Sequence, residues 1–331
     1  MAHTSSPDDS RHRPPPAAIL MVPVVVALAL TLFAWPASRQ EPRDLPVGVV
    51  EAGPGAQVVE QRLASREGAF EIHRYADVSR AREAIEDRDV YGAFVPTPAG
   101  PDVLVATGAS VTVAQLLEQA VAEGRRAGTE PRVEDVVPGS KQDPRGAGLA
   151  SSVLPLVLAG IVVGLAAMLL APTFVMRLGL VTVGAVLAGF AAIVIAQWWL
   201  GVVESNWAAN WAVLSLLVLS IAAVIAGLQA LMGTAGIAVG ALTMVLIGNP
   251  FSGVSSAPEM LPQPVGDIGQ LLPPGAGGNL LRSTAFFDGA DAGGHIAVLV
   301  AWVLVGLVAL AAAAMRKRRL APQSARLVTA S

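Results

Sequence analysis

The sequence predicts an α-helical polytopic membrane protein: six transmembrane helices, with a small α/β extracytoplasmic domain between helices 1 and 2. Residues 149–250 carry only two charged side chains, Arg177 and Glu204. The hydrocarbon core of a bilayer is about 30 Å thick and takes about 20 apolar residues per helix, so this stretch is long enough for four helices. Charged residues make up only 14% of the chain, whereas an average soluble domain has about 25%.

The charges that the chain does have are concentrated in one segment. Between Arg39 and Arg145 lie 31 of the 47 charged residues, 18 acidic and 13 basic. This concentration predicts a water-facing domain over residues 38–150, and its acidic balance gives no support for nucleic-acid binding.

Helices and strands alternate in the predicted domain, which favours a small α/β fold with a mixed sheet. The patterns predict strands over 45–52, 69–75, 90–96 and 102–108. They predict helices over 57–65, from Asp77 or Ser79 to 87, and from Ser110 to about 127. Residues 129–148, rich in proline, glycine and charge, are predicted to be a linker.

The remaining segments are assigned by hydropathy. Residues 1–16 are polar and proline-rich, which predicts a disordered cytoplasmic tail. The apolar residues 17–36 fit either a signal peptide or an uncleaved first helix, and the long apolar core and poor cleavage site favour the helix. The later segments are transmembrane helices 2–5 over 151–248, an extracytoplasmic loop over 249–294, helix 6 over 295–315 and a basic cytoplasmic tail over 316–331.

Basic residues orient the predicted spans. They flank the spans at Arg11 and Arg13, at Arg177, and at Arg316–Arg319. Since Lys and Arg concentrate on the cytoplasmic side of membrane helices, both termini are predicted to be cytoplasmic. The bias toward Ala, Val, Gly and Arg is typical of GC-rich bacterial genomes, so we expect a multi-pass protein of a bacterial plasma membrane.

No catalytic or metal-binding constellation is visible. The chain has no cysteine, which excludes disulfides and thiolate metal sites. It has no P-loop, no HExxH and no GxSxG motif, so we expect neither an enzyme nor a bound cofactor or metal. Because no ionisable residue lies near the centre of a predicted span, an ion-coupled carrier is disfavoured.

Two GxxxG spacings, Gly160–Gly164 and Gly236–Gly240, predict close packing of helices inside or between subunits. The loop over 249–294 is broken into short pieces by Pro258, Pro262, Pro264, Pro273 and Pro274. We expect one short helix from Pro264 to Leu272 and a second that begins at Asn279. Both are too short to span a bilayer, so they fit interfacial or re-entrant helices or, equally well, a folded extracellular cap.

The order of these elements resembles that of the ABC type-2 transporter permeases, and most closely the branch with the YhgE and phage-infection (Pip) proteins. The similar segments are LPVGVVEAGPGA (45–56), DRDVYGAFVP (87–96) and PPGAGGNLLR (273–282). The resemblance implies a permease subunit in a membrane homodimer that exports a lipidic or amphipathic cargo, with a separate ATP-binding subunit. On this hypothesis Gly275, Gly277, Gly278 and Arg282 are exit-loop residues, since flexible backbone and one base lie at the expected exit.

One departure from the family keeps an alternative open. Permeases of this type receive force through cytoplasmic elements, one of which is a helical connection between spans 2 and 3. In this chain that connection is short and covers only about residues 171–177. A non-transporting envelope receptor or assembly scaffold, acting through residues 38–150, needs no such surface.

Overall fold

The computed structural model describes residues 16–52, 55–123 and 130–328, with only the backbone described for 16–22 and 318–328. Nearly all of the predicted tail over 1–16 and the end of the predicted helix to 127 lie outside these residues. The first helix, α1, is Pro16–Ser38. It is followed by an α/β domain, then by a bundle of apolar helices.

Within the described residues, the α/β domain has one sheet of five strands. The strands are β1 Leu45–Val50, β2 Phe70–Tyr75, β3 Gly92–Val95, β4 Asp102–Val105 and β5 Val133–Asp135. Their order is β2-β1-β3-β4-β5, and the β3–β4 pair is antiparallel while the other pairs are parallel. The predicted mixed sheet is therefore confirmed. The linker predicted over 129–148 is wrong at β5, which gains its strand conformation by pairing with β4.

Three helices cover the two faces of the sheet: α2 Ala56–Ala64, α3 Val78–Glu86 and α4 Val111–Glu123. Helices α2 and α4 pack on one face, and α3 packs on the other. The predicted caps are present, since the Asp77 carboxylate accepts a hydrogen bond from the Arg80 amide and the Ser110 hydroxyl accepts one from the Val113 amide.

The bundle consists of α5 Ala147–Leu170, α6 Phe174–Ile193, α7 Trp207–Met232, α8 Thr234–Leu242 and α11 Ala292–Val328. Helix α6 continues as a π-helical segment, Val194–Trp199, and α8 as another, Thr243–Gly248. Helix α7 is central and packs against α5, α6, α8 and α11.

Among the described residues, four helices are long and apolar enough to cross a membrane: Ala147–Leu170, Phe174–Trp199, Trp207–Met232 and Ala292–Lys317. The structure thus agrees with a helical membrane protein but does not reach the predicted six spans. Of the other two predicted spans, the fifth coincides with a shorter apolar stretch, Thr234–Gly248, and the first with α1, whose side chains are described over Pro23–Ser38. A 15-residue helix is about 22 Å long, which is less than the roughly 30 Å of a hydrocarbon core.

Residues 249–291, which we call the junction segment, link two helical elements of the bundle in sequence and pack against both the bundle and the α/β domain. They contain α9 Val265–Gln270 and α10 Pro273–Phe286. Helix α10 begins six residues before the predicted start at Asn279, because Pro273 and Pro274 occupy its first turn, where proline is tolerated. It runs antiparallel to the first half of α7, with Gly277 against Leu217 and Thr284 against Asn210.

Candidate functional site at the domain–bundle junction

The junction segment contributes side chains to three separate hydrophobic cores. Ala257 and Met260 pack into the core under α2 and α4, and Phe287 packs into the core under α3. Leu280 and Leu281 pack into the core of the bundle. The junction segment therefore has buried apolar contacts with both the α/β domain and the bundle.

Polar contacts reinforce this connection. The Tyr91 hydroxyl donates to the Glu259 carboxylate at 2.8 Å. The Arg88 guanidinium donates to the Asn279 carbonyl oxygen at 3.1 Å, and the Arg43 guanidinium donates to the Met260 carbonyl oxygen at 3.2 Å. Each contact pairs a residue of the α/β domain with one of the junction segment.

The Tyr91–Glu259 pair lies in a poorly solvated environment. Loss of solvation raises the pKa of the Glu259 carboxyl, although the Tyr91 hydroxyl and the nearby Arg88 act in the opposite direction. Loss of solvation and the neighbouring Glu259 raise the pKa of Tyr91 well above its ordinary value. The neutral forms of both side chains are thus favoured, as expected where charge is removed from water.

Arg88 lies in a cavity of about 190 Å³ whose lining includes Asp267, Asp291 and His295. Its guanidinium carbon is 5.2 Å from the centre of the Phe287 ring, a cation–π distance. Its backbone is in the left-handed region, with φ of 68°. Loss of solvation lowers the pKa of Arg88, while the neighbouring Tyr91, Asp291 and Glu259 oppose that shift.

Arg282, the predicted exit-loop base, lies on α10 at the edge of a second cavity of about 280 Å³. The residue is only 7% exposed. Among the described residues its guanidinium donates one hydrogen bond, to the Val254 carbonyl oxygen, and forms no ion pair. Burial lowers the pKa of Arg282 to about 10, so the side chain remains charged at neutral pH.

The three predicted exit-loop glycines were selected for flexible backbone. That expectation is wrong, because all three lie in a helix. Gly275, Gly277 and Gly278 lie inside α10 and are buried. A Cβ atom added to Gly277 would lie 2.7 Å from Leu217, and one added to Gly275 or Gly278 would overlap Gly269 or Val254. These glycines allow α10 to approach its neighbours closely.

The glycines of the two GxxxG spacings face other helices of the same chain. Added Cβ atoms at Gly160 and Gly164 would lie 2.7 Å from Ile221 and from the Ala222 carbonyl oxygen, respectively, both on α7. At Gly240 an added Cβ would lie 2.6 Å from Ile225, and at Gly236 it would overlap the Leu228 backbone. Both spacings thus lie against α7.

The sequence analysis missed a polar network at the domain end of the bundle. The buried Asn210 side chain donates to the Glu204 carbonyl oxygen at 2.8 Å and accepts from the Thr284 hydroxyl at 2.7 Å. The Gln197 side chain donates to the Ser205 carbonyl oxygen at 2.9 Å. By contrast, the Gln229 side-chain oxygen is buried in the bundle without a hydrogen-bond partner among the described residues.

Arg88, Tyr91 and Glu259 were also missed. One signal was available: Glu259 ends a run of 54 residues, 205–258, that contains no charged side chain. An isolated carboxylate in such surroundings indicates a specific partner. Nothing in the sequence indicated that the partner is Tyr91, which lies 168 residues away.

Comparisons with known proteins leave the site to be interpreted from its geometry: no family profile, no curated protein and no solved structure matches the chain. Among the described residues, no group of three or more His, Asp or Glu side chains is placed to hold a metal ion.

Proposed function

We propose that this protein is the membrane subunit of an ABC-type export system, moving a lipidic or amphipathic cargo outward from a bacterial plasma membrane. In this proposal α1 and the stretch Thr234–Gly248 complete six membrane-crossing elements, the shorter of which requires local thinning of the bilayer, and both termini are cytoplasmic. The observation that carries the proposal is the junction segment, which links the centre of the bundle to the α/β domain.

The contacts of α10 support a mechanical role for this segment. Near its start Gly277 packs against Leu217 of α7, while beyond its end Phe287 packs in the α/β core. Because the helix is stiff and buried along its length, a shift of α7 displaces the surface on which the α/β domain rests. Opening of the bundle and movement of the domain are therefore coupled.

A separate ATPase requires a surface on the opposite end of the bundle. The described connections there are short: residues 171–173 join α5 to α6, and Gly233 joins α7 to α8. Helix α11, however, continues from Lys317 to Val328, a length of about 16 Å. We assign the ATPase contact to this helical extension, which begins with the basic residues Arg316–Arg319.

The test is gentle detergent extraction of the full-length protein from native membranes, with mass spectrometry of the bound proteins and an ATP-hydrolysis assay. We expect a stoichiometric P-loop subunit, ATP hydrolysis and a homodimer of this chain. A variant truncated after Lys317 is the matched control and should insert normally but lose the ATPase. A pure, inactive homo-oligomer would contradict the proposal.

The second candidate is a non-transporting receptor or scaffold. The short connections at 171–173 and Gly233 favour it, because they offer an ATPase little surface. In that case the α/β domain binds an envelope partner, and the junction segment transmits or fixes its position. Extraction would then yield a partner bound to residues 38–150, and removing that domain would release the partner while the bundle still inserts.

A further inference from the structure

The cavity beside Arg282 has a chemical character that the proposed transport function does not explain. It lies between the α/β domain, the chain that enters α5 and the junction segment. Apolar side chains form one side of it, including Leu149 of α5, Val202 of the α6–α7 connection and Phe286 of α10. Leu149 and Val202 are at the domain end of the bundle, where apolar helices give way to polar chain.

Arg282 brings an incompletely satisfied positive charge to this cavity. A guanidinium has five N–H donors, and the described structure accounts for one of them, the bond to the Val254 carbonyl oxygen. Buried charges in proteins are normally paired with an opposite charge, because removal from water is otherwise unfavourable. With the residue 7% exposed, bulk water does not supply that compensation.

Arg88 and Arg282 differ in the carboxylates around them. The cavity of Arg88 contains the carboxylates of Glu259, Asp267 and Asp291. Among the described residues, the charged or titratable groups that act on Arg282 are Tyr91 and the like-charged Arg88. Of these two neighbouring arginines, the more buried one is therefore the one without a carboxylate among the described groups that act on it.

The remaining charges of the Arg282 cavity also favour an anion. Lys141 and Arg145 line it and are exposed, whereas its two carboxylates already accept hydrogen bonds from the protein. Asp135 accepts from the Thr107 amide and hydroxyl, and Asp143 accepts from the Leu149 amide at 3.0 Å. The lining thus carries three cationic side chains and two carboxylates, which leaves it with a net positive charge.

We propose that this cavity binds a phosphate group, with the Arg282 guanidinium as its principal partner and Lys141 and Arg145 at the entrance. A guanidinium matches the geometry of phosphate oxygens through paired hydrogen bonds. A volume of about 280 Å³ leaves space beyond the phosphate itself. The apolar wall at the end of the bundle places the site where phospholipid headgroups lie, so we identify the ligand as a phosphate ester of the headgroup type.

The test is native mass spectrometry of the purified full-length protein in a phosphate-free, non-ionic detergent. The probes are dihexanoyl phosphatidylglycerol and, separately, inorganic phosphate. We expect one tightly bound phosphatidylglycerol per chain and a loss of affinity of about tenfold or more in Arg282→Gln, because a charge-assisted contact is removed. Arg282→Lys keeps the charge and should retain most of the affinity.

Arg80→Gln is the matched control, since it removes an arginine charge from the exposed face of α3. It should bind phosphatidylglycerol as the wild type does. Equal affinity in the wild type and Arg282→Gln would overturn the proposal, since binding would then be general adsorption of lipid.

Two further arms keep the test decisive. If Arg282→Gln does not fold, the variant with both Lys141→Gln and Arg145→Gln changes only exposed positions and should bind severalfold more weakly; unchanged affinity would overturn the proposal. Competition by inorganic phosphate would show that the phosphate group suffices, whereas its absence would assign the site to the esterified headgroup. The assay requires neither ATPase nor transport, so its outcome is independent of the proposed function.

Discussion

The helix bundle and the junction hold the chain together by different means. In the bundle, small residues allow backbones to approach: an added Cβ at Gly227 would lie 2.5 Å from the Gly306 carbonyl oxygen. At the junction, hydrogen bonds of titratable side chains, such as Tyr91–Glu259, join residues far apart in sequence. Helix packing in a membrane gains little from the hydrophobic effect, so it depends on close contact. The junction lies where the α/β domain meets the bundle and instead uses polar groups that are difficult to solvate.

We therefore expect substitutions in the two regions to reduce the stability of the protein in different ways. Loss of a close contact in the bundle should destabilise the protein equally at every pH. The destabilisation caused by a substitution at the junction should instead depend on pH and on whether the partner residue is present. The following substitutions examine this difference, in order of decreasing expected effect.

The largest effect is expected from Gly306→Val in α11. An added side chain would overlap the Ala223 backbone on α7, and backbone cannot move aside as a flexible side chain can. We expect a loss of about 3 kcal/mol in the free energy of unfolding, measured by denaturant titration in mixed micelles. Gly293→Val in the same helix is the control, since its added Cβ would have no described atom within 4 Å apart from its chain neighbours and the adjacent backbone of its own helix. Equal effects at the two positions would contradict packing as the cause.

Tyr91→Phe should have the next largest effect. It leaves the partly buried Glu259 carboxylate without its hydroxyl donor, which costs about 1–3 kcal/mol in unfolding free energy. A double-mutant cycle with Glu259→Ala, which removes the acceptor, should show that the two substitutions are not additive. Additive losses would mean that the 2.8 Å contact contributes nothing to the junction.

The third prediction concerns pH. Loss of solvation raises the pKa of Glu259 above its ordinary value of 4.5 in the folded protein, so folding favours the protonated carboxyl. Its stabilising contribution is complete below 4.5 and is lost as the pH rises through the raised pKa. We expect the wild type to lose thermal stability relative to Glu259→Gln between pH 4.5 and neutrality. The opposite slope would show that Tyr91 and Arg88 outweigh desolvation.

The smallest losses of unfolding free energy are expected for two arginine substitutions, one at the junction and one on the surface. Arg88→Ala removes the contacts to Asn279 and Phe287 and should cost about 1–2 kcal/mol in unfolding free energy. Arg82→Ala removes a shorter contact, 2.6 Å to Glu134, but both side chains are more than one-third exposed. Water and salt screen such pairs, so the loss should be below about 1 kcal/mol. A larger loss at Arg82, by the same titration, would reverse this ranking.

Local signals in the sequence predicted much of the α/β domain. The alternating apolar residues of 45–52 and the caps at Asp77 and Ser110 depend on neighbouring residues, and the structure has them. Strand β5 was missed because three residues between prolines and glycines have no strand signal until they pair with β4. The start of α10 was placed too late because glycine and proline have low helix propensity, which burial overrides at Pro273–Gly278.

Of the residues that form the candidate site, only one was selected from the sequence. Arg282 was selected as the single base near the expected exit, and it lines a cavity. Its companions depend on contacts that no local pattern encodes, since Arg88 is 191 residues from Asn279. The glycines were selected for flexibility, but their fixed helical positions allow α10 to pack against Leu217 and Val254. A pattern reports which residue types are close in the chain, not which elements meet in space.

The central claim is that the junction segment makes the α/β domain and the bundle one mechanical unit. The chain has no cysteine, so Gln115→Cys on α4 and Leu170→Cys at the far end of α5 provide two unique, exposed sites for spin labels. Pulsed electron paramagnetic resonance of this variant in lipid nanodiscs, diluted with an excess of the unlabelled cysteine-free protein, measures the distribution of the distance between the two labels of one chain. We predict a single narrow distribution that broadens when Tyr91→Phe is added. A broad distribution in the protein with Tyr91 intact would contradict the account, because the domain would then move independently of the bundle.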